Sequence, residues 1–124
     1  MELALSLPFL FALAFGMLEY NNIVRLRSRM VNAAYESARL ATRPVTSTSS
    51  AASADAVTTY CQTLLTQLGV NGATVTVSPS NLSGITPQQT VTVTITAPVS
   101  SNSLTTLVIG SSTMTTASAT LCVE

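Results

Sequence analysis

The chain has no histidine, no lysine and no tryptophan, and charged residues make up only 8% of its 124 positions. Without histidine or lysine, and with Asp55 isolated in sequence, neither a carboxylate pair nor a nucleophile–base pair can be assembled for catalysis. Two cysteines alone do not make a metal site. A formal net charge of zero leaves no basic surface for nucleic acid. We therefore expect no enzyme, no cofactor, no metal and no nucleic-acid partner.

The few charges that exist are concentrated at one end of the chain. All five arginines and three of the five acidic residues lie between Glu2 and Arg43. Residues 44–124 instead contain 32 serines or threonines among 81 positions. Such a neutral, hydroxyl-rich surface fits an extracellular or periplasmic setting better than the cytosol.

Residues 3–18 contain no charge, and Glu2 and Glu19 stand at their two ends. Ten of the sixteen side chains are large and apolar: Leu3, Leu5, Leu7, Phe9, Leu10, Phe11, Leu13, Phe15, Met17 and Leu18. Leaving all ten in water would forfeit roughly 15–30 kcal/mol, at about 1.5–3 kcal/mol each. An ordinary domain has a net stability of only about 5–15 kcal/mol. The segment must therefore lie in lipid or against copies of itself.

Two established uses of such a segment fit it imperfectly. The residues around Glu19 make a poor signal-peptidase site, which disfavours a cleavable signal peptide. As a helix, sixteen residues span about 24 Å, slightly less than a hydrocarbon core of ~30 Å.

The helical pattern continues beyond Glu19. Apolar residues recur at steps of three or four at Ile23, Leu26, Met30, Ala34, Ala38 and Ala41. The pair Arg43-Pro44 then ends the pattern, because a residue before proline is disfavoured in the helical region. One helix over about residues 3–42 would be roughly 60 Å long. Pro8 predicts a kink or local unwinding within it, although neighbouring helices could also accommodate a passive proline.

The rest of the chain predicts a small head. A Ser/Thr linker at 44–50 precedes a second helix at about 51–68, and residues alternate with period two over 73–78, 90–96 and 113–123. Residues 100–112, with Leu104, Leu107, Val108 and Ile109, fit either a helical turn or an extra strand. The predicted fold class is α+β, with three regions. Residues 1–43 are an N-terminal helix, whose positions 1–19 are the apolar segment; residues 44–50 are the linker; residues 51–124 are one helix packed on a three-stranded antiparallel meander.

Cys61 and Cys122 predict one disulfide, because an isolated pair in a small exported protein is usually oxidised. The bond would close a loop of about sixty residues and stabilise the fold by roughly 4 kcal/mol. One objection is that Cys122 has the opposite strand parity to Leu121 and Val123, which only a bulge or fraying would resolve.

Two sequence blocks resemble a known family. The first is ELALSLP at residues 2–8 followed by GMLEY at 16–20, and the second is NAAYESARLA at 32–41. Together they resemble the TadE-like pseudopilins of tight-adherence (Tad) pili, in the type IV filament superfamily, where "VEFALVLP", "FGIIEF" and "NAAREGARLA" occupy the same places. The resemblance covers roughly residues 2–43.

The resemblance implies a filament subunit. Such subunits are held in the inner membrane as precursors, trimmed by a prepilin peptidase and polymerised by the pilus assembly machinery into an extracellular filament on the bacterial surface. The expected partners are therefore copies of the chain, the inner membrane and that machinery. A membrane-anchored minor pilin, which primes assembly or presents an adhesive head, is the alternative.

Charged residues beside the apolar segment are candidates for pairing between subunits. The resemblance implies that Glu2 pairs with the terminal amine of a neighbour; it could also simply favour its own helix N-terminus. Glu19, Arg25, Arg27 and Arg29 either form salt bridges between subunits or make a solvated collar. Three arginines on the exported side run against the positive-inside preference, which favours the salt bridges.

Overall fold

A computed structural model shows two helices and one antiparallel sheet. The elements are α1 (Glu2–Ala41), α2 (Ala54–Gln67), β1 (Thr74–Ser78), β2 (Thr90–Pro98) and β3 (Met114–Cys122). The structure describes residues 2–43, 53–82, 85–86, 88–103, 110 and 112–123, and only the backbone of residues 2–5. The predicted α+β fold is confirmed. The predicted linker at 44–50 and the ambiguous residues Leu104, Leu107, Val108 and Ile109 lie outside the described residues.

Helix α1 is a single element of 40 residues, about 60 Å long. It is helical through Pro8 without a break in the single chain; unwinding at Pro8 on assembly and a kink there both stay predictions. Its last turn continues as far as Thr42, whose N–H donates to the Ala38 carbonyl at 3.0 Å. The Arg43-Pro44 pair follows directly, as expected for a residue pair that cannot extend the helix.

Helix α2 has a defined start and stop. The Ser53 side chain accepts a hydrogen bond from the Ala56 N–H at 3.1 Å, and Asp55 lies in the first turn, where its charge favours the helix dipole. At the other end Gly69 adopts a φ of 71°, and the Val70 N–H donates to the Leu65 carbonyl at 2.8 Å. This is the Schellman arrangement, in which glycine takes the left-handed position without steric cost.

The three strands form a meander in the order β1-β2-β3, with both pairings antiparallel. Thr76, Thr94 and Ser118 lie opposite one another across the sheet, so one face carries mainly hydroxyl side chains. The Thr92 and Thr120 hydroxyls hydrogen bond across this face at 2.9 Å. The opposite face is buried, and the period-two prediction of one wet and one covered face is confirmed.

The core lies between that buried face and the two helices. The second half of α1 packs on β2 and β3, and α2 packs on α1 and β1. Alternate residues of β2 are buried completely, and α1 contributes several small side chains; the buried set includes Leu26, Met30, Ala33, Ala34, Ser37, Ala38, Val57, Cys61, Leu65, Val91, Val93, Ile95 and Ala97. The alanines allow α1 to approach its neighbours closely, since they add little bulk at the contact.

The cysteines do not form the predicted disulfide, because both thiols are free. Cys61 is fully buried among the core side chains, whereas Cys122 is exposed and pairs with Thr90 on the hydroxyl face. On β3 the residues that face the core are Ala117, Ala119 and Leu121, so the parity of Cys122 directs it to the other side of the sheet. No bulge shifts this register, and the sheet separates the two sulfur atoms.

Candidate functional site

None of the described side chains in the first half of α1 belongs to the core of the head. Its large apolar side chains are exposed, from 40% at Phe15 to 70% at Phe9. The exposed set is Leu7, Phe9, Leu10, Phe11, Leu13, Phe15, Met17 and Leu18. The side chains of Leu3, Leu5 and Glu2, which belong to the same predicted segment, lie outside the described residues. A 40-residue helix can hold this segment away from the head because only its second half packs on the sheet.

This apolar segment is hydrophobic on every side of the helix. With 3.6 residues per turn, the consecutive residues Phe9, Leu10 and Phe11 point in three different directions around the helix. A helix that is hydrophobic all round is stable only in lipid or among other helices. Within the described residues, α1 is the one helix long and apolar enough to cross a membrane, judged by its length and composition. The segment therefore needs an apolar cover that its own chain does not supply.

Glu19 lies at the junction between this segment and the head. Its side chain is only 2% exposed, so it is not part of a solvated collar. An open cavity of about 310 Å³ adjoins it, lined among others by Phe15, Leu18 and Arg25. Pairing of Glu19 between subunits stays a prediction, but in the single chain this carboxylate is already enclosed.

The three arginines next to the junction are exposed and differ in their surroundings. Arg29 lies at the C-terminal end of α2: a Cβ atom placed on Gly69 would be 3.9 Å from the Arg29 Nη1 atom. Helix α2 has no basic residue in its own last turn, so Arg29 supplies the positive charge that a helix C-terminus favours. This gives Arg29 a role within the chain. Pairing of Arg25, Arg27 and Arg29 between subunits stays a prediction.

Asn102, which the sequence analysis did not single out, joins the segment before β1, the end of β2 and helix α1. The Asn102 side chain accepts a hydrogen bond from the Asn71 N–H at 2.6 Å and donates to the Asn71 and Pro98 carbonyls, both at 2.8 Å. The Asn22 side chain of α1 donates to the Asn102 carbonyl and to the Ser103 hydroxyl, both at 3.3 Å. These contacts fix the head to α1 just beyond Glu19. Asparagine in a Ser-rich turn was the available signal, since its amide imitates the backbone.

Cys61 is a buried thiol rather than a reactive one. Burial raises the pKa of Cys61 above its ordinary value of 9.0, and a hydrogen bond with Ser37 has the smaller, opposite effect. The Ser37 hydroxyl in turn donates to the Ala33 carbonyl of its own helix at 2.7 Å. Among the residues that the structure describes, no group of three histidine, cysteine or acidic residues could hold a metal ion.

The fold and this surface define a class of protein in which an apolar helical stalk carries a neutral α+β head. The chain itself leaves the stalk exposed. The family model "TadE-like protein" matches residues 1–39, which confirms the resemblance found from the sequence. Over residues 1–39, the chain is thus similar to the TadE-like family. Comparisons with curated proteins and with solved structures found no match.

Proposed function

We propose that the chain is a structural subunit of an extracellular Tad-type pilus filament, assembled through the apolar segment of α1. Before assembly, the subunit resides in the inner membrane, where a prepilin peptidase trims it. The pilus assembly machinery then extracts it into the filament. The head forms the outer surface of the polymer.

One observation carries this proposal: the apolar segment is exposed on every side of a helix whose second half packs in the core of the head. Copies of the same helix can cover it completely, because each copy brings an equal apolar surface. Moving the segment from lipid into such a bundle re-buries the same side chains, so the hydrophobic cost of extraction is largely offset.

A second function is favoured by the sheet. Strand β1 lies at one edge of the described sheet, so its outer backbone groups are not used by β2. An exposed strand edge can bind an extended segment of another protein by strand addition. A membrane-anchored minor pilin that primes the filament, or presents its head to a receptor, would use this edge.

Electron cryo-microscopy of material sheared from cells that make the protein separates the two functions. A filament subunit predicts a thin filament with the apolar segments at its axis and the heads outside. A membrane-anchored accessory protein predicts that sheared material lacks the chain, and that the membrane fraction holds it as monomers or small complexes.

A matched pair of variants tests the segment itself. Leu13→Asp places a charge among the apolar side chains, and Ser28→Asp places the same charge on an exposed polar position of the same helix. We expect filaments from Ser28→Asp and none from Leu13→Asp, because an unpaired charge in an apolar bundle is costly. Equal filament yield from both variants would contradict the proposed role of the segment.

A further inference from the structure

The open cavity beside Glu19, here called the junction cavity, combines charged and apolar lining. Glu19 and Arg25 contribute one charge of each sign, and Phe15 and Leu18 contribute large apolar side chains from the end of the apolar segment. Ser103 lines the cavity from the head, so the cavity lies where α1 meets the head. Its volume of about 310 Å³ is at the lower end of the range for small-molecule pockets, about 300–1,000 Å³. The junction cavity therefore suits a small group that is polar at one end and apolar at the other.

The polar side of the junction cavity is held in place by the fold. The Asn22 side chain, which also lines the cavity, donates to the Asn102 carbonyl and the Ser103 hydroxyl, both at 3.3 Å. Glu19 is only 2% exposed, whereas Arg25 is exposed. A carboxylate has about four acceptor positions, so Glu19 can accept a hydrogen bond from a ligand in addition to its contacts within the chain.

The junction cavity lies at the height of the lipid headgroups when the apolar segment is in a membrane. The uncharged run ends at Leu18, and α1 rises only about 6 Å from there to Asn22. The headgroup region on each side of the hydrocarbon core is roughly 5–7 Å thick. Glu19 therefore lies among the headgroups, and Phe15, about one turn earlier, lies beside the first carbons of the acyl chains.

The two charges of the cavity discriminate between headgroups. A carboxylate attracts an ammonium group and a guanidinium attracts a phosphate, so a headgroup with both charges matches Glu19 and Arg25 together. A headgroup with a phosphate and no cation would bring its negative charge close to the Glu19 carboxylate, which is unfavourable. A choline headgroup carries a cation but no N–H group, so it cannot donate a hydrogen bond to that carboxylate.

We infer that the junction cavity binds the headgroup of a phospholipid with a primary ammonium group, of the ethanolamine type. The Glu19 carboxylate accepts a hydrogen bond from the ammonium, and the Arg25 guanidinium donates to the phosphate. Phe15 and Leu18 contact the adjoining acyl chains. This inference rests on the membrane-resident stage of the proposed function, which a filament subunit and a membrane-anchored minor pilin share, and not on the filament.

Native mass spectrometry of the full chain tests the inference. The chain, purified in detergent, is mixed with equal amounts of ethanolamine, choline and glycerol phospholipids that carry the same acyl chains. We expect the ethanolamine lipid to be retained about tenfold more than either of the others, which corresponds to one hydrogen bond to a charged group. Equal retention of the ethanolamine and choline lipids, or a preference for the glycerol lipid, would overturn the inference without any variant.

Three substitutions assign the roles of the charges. Glu19→Gln keeps the shape of the side chain and should abolish the preference for the ethanolamine lipid over the glycerol lipid, which a merely structural role would not change. Arg25→Gln should weaken retention of all three lipids about tenfold, because all three contain the phosphate. Arg27→Gln removes the same charge from an exposed residue that is not among the described lining, and should change retention less than about twofold.

Thermal unfolding in detergent would confirm that the heads of all three variants are folded. An unchanged lipid preference in folded Glu19→Gln, or equal effects of Arg25→Gln and Arg27→Gln, would contradict the inference.

The location of the chain in cells separates this inference from the proposed function. If the chain is present in the membrane fraction but shows no selectivity among the three lipids, the inference is wrong and the proposed function stands. If the chain is absent from both the membrane fraction and sheared filaments, both are wrong.

Discussion

Asn102 shows how much a single polar side chain contributes to the head. Its amide joins the segment before β1 to the turn after β2 through three hydrogen bonds. Asn102→Ala should lower the free energy of unfolding by about 1–3 kcal/mol, because it leaves backbone groups of Asn71 and Pro98 without these partners. Thermal unfolding of the full chain in detergent, followed by circular dichroism, measures the effect.

Asn71 provides the control for that substitution. It is exposed and takes part in the network through its backbone, which Asn71→Ala retains. We expect a change within about 0.5 kcal/mol, as for most surface substitutions. Equal loss of stability in both variants would show that the Asn102 amide has no special role.

Cys61 gives the head a stability that depends on pH. Because its pKa is raised above 9.0 in the folded chain, unfolding releases a proton from this thiol at alkaline pH. The free energy of unfolding should therefore be constant below about pH 8 with respect to this group, and should fall as the pH rises through and above 9. Unfolding temperatures measured from pH 7 to 10.5 should decline more steeply for the unchanged chain than for Cys61→Ala.

Thiol reactivity distinguishes the free cysteines from a disulfide. At pH 8 an aromatic disulfide reagent should modify Cys122 alone in the folded chain, because Cys61 is buried and protonated. Unfolding should make both thiols reactive, and Cys122→Ser should show no rapid reaction until it unfolds. A chain with no reactive thiol even after unfolding, and a mass lower by two hydrogens, would instead carry the disulfide.

The residue scale is where the sequence was least informative. The apolar segment and its position were predictable from the sequence, because a long run of residues without charge is stable only in lipid or packed against other apolar surfaces. The enclosure of Glu19, the position of Arg29 at the end of α2 and the network of Asn102 were not, since each depends on residues far apart in the chain. The side of the sheet on which Cys122 lies was predictable in principle. Its strand parity already opposed the disulfide, and in the structure Cys122 lies on the side that this parity indicates.

At the scale of elements the sequence was far more informative. Period 3.6 in the first part and period two in the last part predicted both helices and all three strands, with differences of only a few residues at their ends. The antiparallel meander followed from the clean alternation of Thr with Val or Ile. The unbroken α1 at Pro8 was not predictable, because a proline near a helix start can be accommodated with or without unwinding.

The contact between α1 and its neighbours depends on small side chains. Ala34 is fully buried on the face of α1 that packs in the core. Ala34→Leu should lower the free energy of unfolding by about 1–3 kcal/mol or more, because the added atoms force the packed elements apart. Asn32→Leu, which adds bulk on the exposed side of the same helix turn, should change it little. Thermal unfolding in detergent compares the two, and equal values would show that the core is loose at Ala34.

At the scale of the whole molecule, cohesion and charge are separated. In the proposed filament, copies cohere through the uncharged apolar segment, and the charges lie almost entirely on α1 beyond it. Filaments should therefore withstand about 1 M salt, where charge interactions are screened beyond about 3 Å, and should dissolve in detergent, which covers apolar side chains. Sedimentation after each treatment measures this. Filaments that dissolve in salt but persist in detergent would show that charge pairs hold them together.

The confinement of arginine to α1 and its end also determines how the head responds to digestive proteases. Arg43 is the last basic residue of the chain, and residues 44–124 contain neither lysine nor arginine. Proteases of trypsin-like specificity cleave after these two residues, so they find no site in the head, whether it is folded or transiently open. Their possible sites all lie on the second half of α1 or directly after it, and any that a neighbouring copy covers are shielded from the protease. A coat of such heads would resist this class of protease through composition alone, independently of its stability.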